Sequence, residues 1–323
     1  MELVNSLEGR LLFAVPKKGR LNQATLNLLE GADIQFRREN RLDIALVKNL
    51  PIALIFLPAA DIPTFVGQGR VDLGITGWDQ VKEHDAAVNA AAAHGGAPAQ
   101  GSGCEMITEL GFGACKLQVQ VPEKGKYATS ADLIGRTVGT SFVSLTADFF
   151  AQLEAQASGA AAANDDSSRP QKLQTKIVEL SGSVEAACAL GVADGIVDLV
   201  ESGETMRAAG LKAIDTVVES TAVLIKSRSP SNPDLVDLIA SRIRGVITAQ
   251  RYVLCQYNIE RSGVAAATKI TPGKRAPTIT SLDDGWVAVS SMVEKKKIAL
   301  VMDELTRVGA HDILVLDIHN TRE

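Results

Sequence analysis

Short apolar runs that stop at proline or glycine set the tightest limit on how this chain can fold. Leu11-Leu12-Phe13-Ala14-Val15 ends at Pro16, and Ala53-Leu54-Ile55-Phe56-Leu57 ends at Pro58. Asp72-Leu73-Gly74-Ile75-Thr76 ends at Gly77. Each run is the length of a strand, and their apolar residues are mostly continuous. Such strands, bounded by Gly and Pro and separated by helix-like stretches, belong to a mostly parallel sheet covered on both faces. Aromatic residues make up only 4% of the chain, which suits helices packed closely on sheets through small side chains. A chain of 323 residues exceeds one small core and implies two or three domains.

A second α/β block follows. Lys116-Leu117-Gln118-Val119-Gln120-Val121 alternates like a strand and stops at Pro122. Lys176 to Leu180 and Ile196 to Val200 read as further strands. Ala131 to Ile134, Ser144 to Leu153 and Val184 to Leu190 read as helices. Two Ala- and Gly-rich stretches, at 84–103 and 155–170, lack periodicity worth burying and read as surface insertions. After Arg228 the pattern changes. Pro233 to Leu254 reads as one long amphipathic helix with proline near its start. A strand-like run at Ala265 to Ile270, a strand at Trp286 to Met292, a helix from Glu294 to Val308 and a strand at Ile313 to Ile318 complete it. That arithmetic predicts a small ferredoxin-like α+β module.

A net charge of −5 lacks the broad basic field of a nucleic-acid binder, so anionic ligands must be held by local devices. Cys104, Cys115, Cys188 and Cys255 form neither a metal-type pair nor a disulfide framework, and they read as free thiols in a reducing compartment. His84, His94, His311 and His319 share no ligand-like spacing. Met1 to Arg10 carries acids and no long apolar run, so it reads as no leader. No apolar stretch spans a membrane. A cytoplasmic protein is expected.

The segment from Glu185 to Met206 carries the chemistry. A strand through Asp198-Leu199-Val200 leads into Glu201-Ser202-Gly203-Glu204-Thr205, where another helix begins. A strand, a Ser-Gly-X-Thr loop and a helix start can cradle a phosphate, with Gly203 letting the backbone approach and Ser202 and Thr205 offering hydroxyls. Many turns use Gly and Ser only as turn and cap, so the loop alone does not decide. Asp198 reads either as a strand-end acid or as a contact to ribose or magnesium. Lys17, Lys18 and Arg20 follow the first strand, where an open α/β sheet binds ligands; they suit a triphosphate or form a solvated turn. Arg207 either closes on a pyrophosphate or lies on a wet helix face.

Taken together, these segments resemble the ATP phosphoribosyltransferase family. The resemblance rests on Glu185, Gly191 and Asp198 to Met206. Also matching are Glu179-Leu180-Ser181-Gly182-Ser183-Val184-Glu185 and Ala14-Val15-Pro16-Lys17-Lys18-Gly19-Arg20-Leu21. Asp61 to Val66, Asp72 to Gly77, Leu110 to Leu117 and Thr271 to Thr278 continue the match in order. It covers the chain except the two Ala-rich insertions, and the doubled lysine is similar to the eukaryotic branch.

The resemblance implies a fold: an α/β catalytic part with two lobes like a periplasmic binding protein, plus a C-terminal ferredoxin-like (ACT-like) regulatory domain. The expected boundaries are 1–105 with 212–232 for lobe I, 106–211 for lobe II and 233–323 for the regulatory part. It also implies a reaction, in which N1 of ATP displaces pyrophosphate from phosphoribosyl pyrophosphate with magnesium as cofactor and histidine as feedback inhibitor. Asp198, Glu201, Ser202, Gly203, Glu204 and Thr205 would hold phosphoribosyl pyrophosphate, with Asp198 also a magnesium contact. Lys17, Lys18, Arg20, Asp72 and Thr76 would hold ATP, and Glu179, Ser181 and Glu185 would line the cleft. Asn258, Lys274, Thr278 and Asp312 would lie near regulatory histidine. No nucleophile or general base is expected, because the adenine lone pair needs none. A homohexamer with no nucleic-acid or membrane partner is implied. The rival readings are a solute-binding or effector-sensing protein of the same two-lobed fold, and another pathway enzyme such as a prephenate dehydratase, whose Thr-Arg-Phe segment is not found.

Overall fold

The computed structural model describes residues 7–39, 42–93, 103–159 and 173–322. The chain divides into two compact units. The first comprises Met1–Thr25, Arg37–Leu46 and Pro51–Asn232, and the second comprises Leu26–Phe36, Val47–Leu50 and Pro233–Glu323.

The first unit contains two sheets. Its six-stranded sheet has the order β2-β3-β1-β4-β11-β5. Those strands are β1 (Leu11–Pro16), β2 (Ile44–Leu46), β3 (Ile52–Leu57), β4 (Leu73–Gly77), β5 (Cys104–Glu109) and β11 (Ala222–Ser227). The three continuous apolar runs pair in parallel at its centre, Phe13 beside both Leu54 and Leu73. They are buried on both faces as the sequence requires, with Phe13, Leu54 and Leu73 at 0% exposure. Helices α1 (Asn22–Gly31), α2 (Ile62–Gly67) and α3 (Trp78–Ala93) follow β1, β3 and β4. Residues 84–93, expected to be an aperiodic insertion, instead continue α3. Alanine has the highest helix propensity and needs no buried stripe to extend a helix already begun. The rest of that stretch, 94–102, lies outside the described residues, as do 160–172 of the other; its start at 155–157 ends helix α4 (Val143–Ala157).

The second sheet has the order β10-β6-β9-β7-β8. It comprises β6 (Cys115–Pro122), β7 (Thr137–Thr140), β8 (Lys176–Glu179), β9 (Gly195–Val200) and β10 (Leu211–Ser220), with α4, α5 (Ala186–Ala189) and α6 (Glu204–Ala208) between them. Leu117, Val119 and Val121 of β6 face a core with Val138, Phe150 and Val197. The expected lobe boundaries need correction at two strands. From end to end β5 runs beside β11 in the first sheet, and β10 beside β6 in the second, each with register irregularities. Neither strand was legible alone, because long pairing partners, not apolar runs, hold them in place.

The chain therefore passes between the sheets twice, after β5 and after β10. The two crossings are bonded to each other: Leu110 N donates to Ala222 O at 2.9 Å, Ala222 N to Phe112 O at 3.0 Å, and Thr221 Oγ1 to Phe112 O at 2.9 Å.

The second unit holds α7 (Pro233–Arg251) and a βαββαβ module: β12 (Tyr252–Glu260), α8 (Val264–Ile270), β13 (Thr278–Ser281), β14 (Trp286–Glu294), α9 (Ile298–Arg307) and β15 (His311–Asp317). The sheet order β13-β14-β12-β15 is that of a ferredoxin-like module. The class agrees with the sequence reading, but two elements do not. The long helix stops at Arg251, and Tyr252 to Glu260 form a strand whose alternate residues Val253, Cys255, Tyr257 and Ile259 enter the core. Ala265 to Ile270, read as a strand, is helical: its three alanines favour helix, and Ala267 packs fully buried under the sheet.

Candidate functional site

Gly203 makes the turn between β9 and α6. Its φ of 76° is left-handed, and a Cβ there would lie 2.7 Å from Nη1 of Arg207. Arg207 is exposed on its helix and folds back over the loop, donating from Nη2 to Ser202 O at 3.2 Å. A cavity of about 410 Å³ opens beside the loop, lined by Glu201, Ser202, Gly203 and Arg207 from one side and Cys115, Lys116, Gln118 and Ser220 from the other. A second of about 310 Å³ is lined by Leu199 to Met206.

The parallel strands β7, β8 and β9 end at the same edge, with Thr140 in register with both Glu179 and Val197. Asp198 is one residue beyond that row. Its Oδ1 accepts the N–H of Leu199 at 2.8 Å. Burial raises its carboxyl above the ordinary value, the Leu199 N–H opposes the shift, and the charge of Glu185 adds to it. Glu185 thus lies close enough to be felt by Asp198. Glu179 and Ser181 are exposed at this same end.

In the first sheet, Arg20 follows β1 and lies at the edge where the parallel strands end. Its Nη2 is 3.1 Å from Oδ1 of Asp79, its Nη1 donates to Gly113 O, and its Nε is 3.5 Å from Oε1 of Glu201. The guanidinium so joins the first sheet to the phosphate-type loop of the second. Lys17 pairs with Asp43 at 2.7 Å, while Lys18 is exposed and has no ion pair among the described residues.

Two expected ATP contacts are spoken for. Thr76 is buried, and its hydroxyl donates to Ala59 O at 2.7 Å. Asp72 precedes β4, at the opposite edge from Arg20. Its carboxylate accepts the N–H of Leu12 at 2.9 Å and that of Ser231 at 2.5 Å. Strand rise separates it from Thr76 by roughly 13 Å. Sequence reasoning missed Asp79, Ser220 and Gly113. The available signal was an acid two residues after Gly77, in the first turn of a helix that follows a parallel strand.

In the second unit, Lys274 and Thr278 line a cavity of about 530 Å³ with Arg275, Ser290 and Arg322. Asn258 and Asp312 are bonded to each other at 3.0 Å, and Asn258 pairs with Ala288, two positions along from the Ser290 that faces Thr278. The four expected residues therefore form two pairs.

Comparison with known proteins gives the family. The family model described as HisG: ATP phosphoribosyltransferase matches residues 58–245, and that of the HisG C-terminal domain matches residues 249–320. The ATP phosphoribosyltransferase of Yarrowia lipolytica is 58% identical over 324 residues, and that of Saccharomyces cerevisiae 53% over 324, each match covering 100% of both chains. The solved ATP phosphoribosyl transferase (HisG:HisZ) complex from Thermotoga maritima superposes with a TM-score of 0.56 at 20% identity, covering 74% of this chain and 98% of that one, which shows a shared fold. With matches across both the catalytic and the C-terminal region, the chain belongs to the ATP phosphoribosyltransferase family.

Proposed function

We propose that the loop from Glu201 to Thr205 holds the 5-phosphate of phosphoribosyl pyrophosphate while Arg20 and Lys18 hold phosphates from the facing edge. The family membership gives the reaction: N1 of the adenine ring of ATP attacks C1 of the ribose, pyrophosphate leaves, and N1-(5-phosphoribosyl)-ATP forms as the first step of histidine biosynthesis. The observation that carries the site reading is the approach of Arg20 to Glu201, which brings a forked cation to the phosphate-type loop.

The chemistry asks little of side chains as acids or bases. The adenine lone pair is free, and the transition state gathers positive charge at C1 and negative charge on the leaving group. Positioning and charge stabilisation are what the protein must supply. Asp198, half-buried beside Glu185, faces the ribose. Glu179 and Ser181 line the same end. Asp72 and Thr76 support the sheet beneath the site.

Magnesium fits this donor set as a shared ion. Among the described residues no group of three or more His, Cys, Asp or Glu side chains could hold a metal alone, yet Asp198 offers a carboxylate of the hard-oxygen kind. Asp198 would be the residue to hold a magnesium ion shared with substrate phosphates, and such an ion would neutralise charge on the pyrophosphate.

Histidine regulates activity through the second unit in this reading, with Lys274 and Thr278 at the cavity and Asn258 and Asp312 beside it. The outer face of that unit's sheet exposes Leu314 at 56% and Leu316 at 50%, which supports self-assembly, with a homohexamer as the expected state. No helix among the described residues is long and apolar enough to cross a membrane, and a cytoplasmic location is part of this reading.

The test is to mix purified protein with ATP, phosphoribosyl pyrophosphate, magnesium and pyrophosphatase and follow the ultraviolet absorbance of the N1-substituted adenine. Product that histidine suppresses supports both the reaction and its regulation. Product indifferent to histidine removes the regulatory reading, and sedimentation in the same buffer reports the assembly.

A further inference from the structure

Asp79 is an acid that the reaction does not call for, and it is 0% exposed. A buried carboxylate persists only where its charge and lone pairs are matched. Here the match is complete. Oδ1 takes the hydroxyl of Ser220 and Nη2 of Arg20, the latter at 3.1 Å, and Oδ2 takes Nε2 of Gln80 at 2.9 Å. The backbone N–H of Asp79 donates back to Ser220 Oγ at 2.9 Å, so acid and serine are locked to each other in both directions.

The backbone around this group is built to admit it. A Cβ on Gly77 would lie 2.2 Å from Oδ1 of Asp79 and 3.2 Å from Nη2 of Arg20. A Cβ on Gly113 would lie 3.1 Å from Nη1 of Arg20, and Gly113 has a φ of 66° that disfavours a side chain in any case. Gly77 therefore vacates the volume that the acid fills, while a Cβ on Gly113 would meet Leu21 before it met the guanidinium. Ser220 is the last residue of β10, and Gly113 lies between β5 and β6. Each chain crossing thus supplies one contact to the cluster.

Resting on the reading that Arg20 contacts substrate phosphate, we propose that Asp79, held by Ser220, is a positioning residue that fixes the Arg20 guanidinium toward the phosphoribosyl loop. Arg20 has a long, flexible side chain that is 22% exposed. Without Asp79 its fork would be free to turn into solvent. With Asp79, Nη2 and Nη1 are held by protein, and Nε faces the loop at Glu201. Glu201 is 52% exposed and can leave when a phosphate arrives. Asp79 touches neither substrate in this scheme and acts only through Arg20.

A double-mutant cycle on the full-length protein tests this, reading kcat and KM for both substrates together with thermal unfolding. Asp79→Asn keeps the shape and removes the charge, and it is expected to lower kcat/KM about 10–100-fold, the range set by a misplaced contact. In an Arg20→Met background, the same substitution should leave the kinetics unchanged. It should also raise Tm there, because it removes a buried carboxylate that has lost its countercharge. A purely structural acid would instead cause the same kinetic loss in both backgrounds, and that result overturns the proposal. Wild-type kinetics for Asp79→Asn beside an impaired Arg20→Met overturn it as well, leaving the phosphate role of Arg20 standing. Wild-type kinetics for Arg20→Met remove that role and the proposal together. If Asp79→Asn does not fold, Ser220→Ala takes its place. It should lower kcat/KM only in the presence of Arg20, and a loss that persists with Arg20→Met counts against the proposal.

Discussion

Asp72 and Asp79 stand seven positions apart at the two ends of one strand, and both are buried carboxylates. Asp72 spends its oxygens on the backbone N–H groups of Leu12 and Ser231 and so fastens neighbouring chain to the beginning of β4. Asp79 spends its oxygens on side chains, Arg20, Ser220 and Gln80, at the edge where ligands reach an open α/β sheet. Residue type and burial do not separate a structural acid from one that serves a site. The partner does: a carboxylate bonded to backbone fixes the chain, and a carboxylate bonded to a guanidinium fixes a charge that something else can use.

Four substitutions sharpen or break that contrast. The largest effect belongs to Arg20→Met, expected to lower kcat/KM by about 10²–10³ per folded molecule, as loss of a charge-stabilising donor does. It should also cost about 3 kcal/mol of stability by stranding Asp79. Steady-state kinetics beside denaturant unfolding measure both, and an active variant would erase the distinction between the two ends.

Asp72→Ala comes next and should act on stability alone. Two buried N–H groups lose their acceptor, at roughly 2–4 kcal/mol together, while kcat and KM of the folded fraction stay within about twofold of wild type. A fall in kcat/KM there would return Asp72 to the ATP site.

Gly203→Ala tests the loop itself. The left-handed φ costs a side chain about 1–2 kcal/mol, and the new methyl displaces Arg207, so KM for phosphoribosyl pyrophosphate should rise about tenfold with little change in KM for ATP. Equal changes in both would mean that the loop does not separate the substrates.

The smallest effect is a gain. Burial raises the carboxyl of Asp198, so at a pH below its unfolded value both states are protonated and the group is neutral in its effect. As pH rises through the folded value, the half-buried site must hold a charge, and stability is lost. Asp198→Asn should therefore raise Tm by about 2–4 °C at pH 7 and leave it unchanged near pH 3, while weakening phosphoribosyl pyrophosphate binding. A Tm unchanged at both values would place Asp198 in a wetter setting than its burial indicates.

Much of this was readable from the sequence for a physical reason. The three central strands are apolar on both faces and stop at Pro or Gly, so pattern alone identifies them. The loop at Gly203 is local in sequence, and every residue in it serves one turn. Asp79 was not readable, because its meaning lies in Arg20, 59 positions away, and in Ser220, 141 positions away. Strand β10 was not readable either; its alternation is weak and its place is set by β6, nearly a hundred residues earlier. The run Ala265 to Ile270 misled because six residues are too few to tell a two-residue period from a 3.6-residue one. Propensity, which favours helix for three alanines, was the better guide there.

The two hydrogen-bonded crossings give the first unit a nested construction. The chain leaves the first sheet at Gly113 and returns after Ser220 at a neighbouring point, since Phe112 and Ala222 are bonded to each other. The second sheet is thus an inserted body with closed ends, of the kind that a short linker can join into a separate protein or a permutation can cut at its far loops. For the engineer this makes the second sheet a cassette whose two ends meet. For the folding chain it sets an order, because β11 reaches its place between β4 and β5 only after the whole cassette has been synthesised.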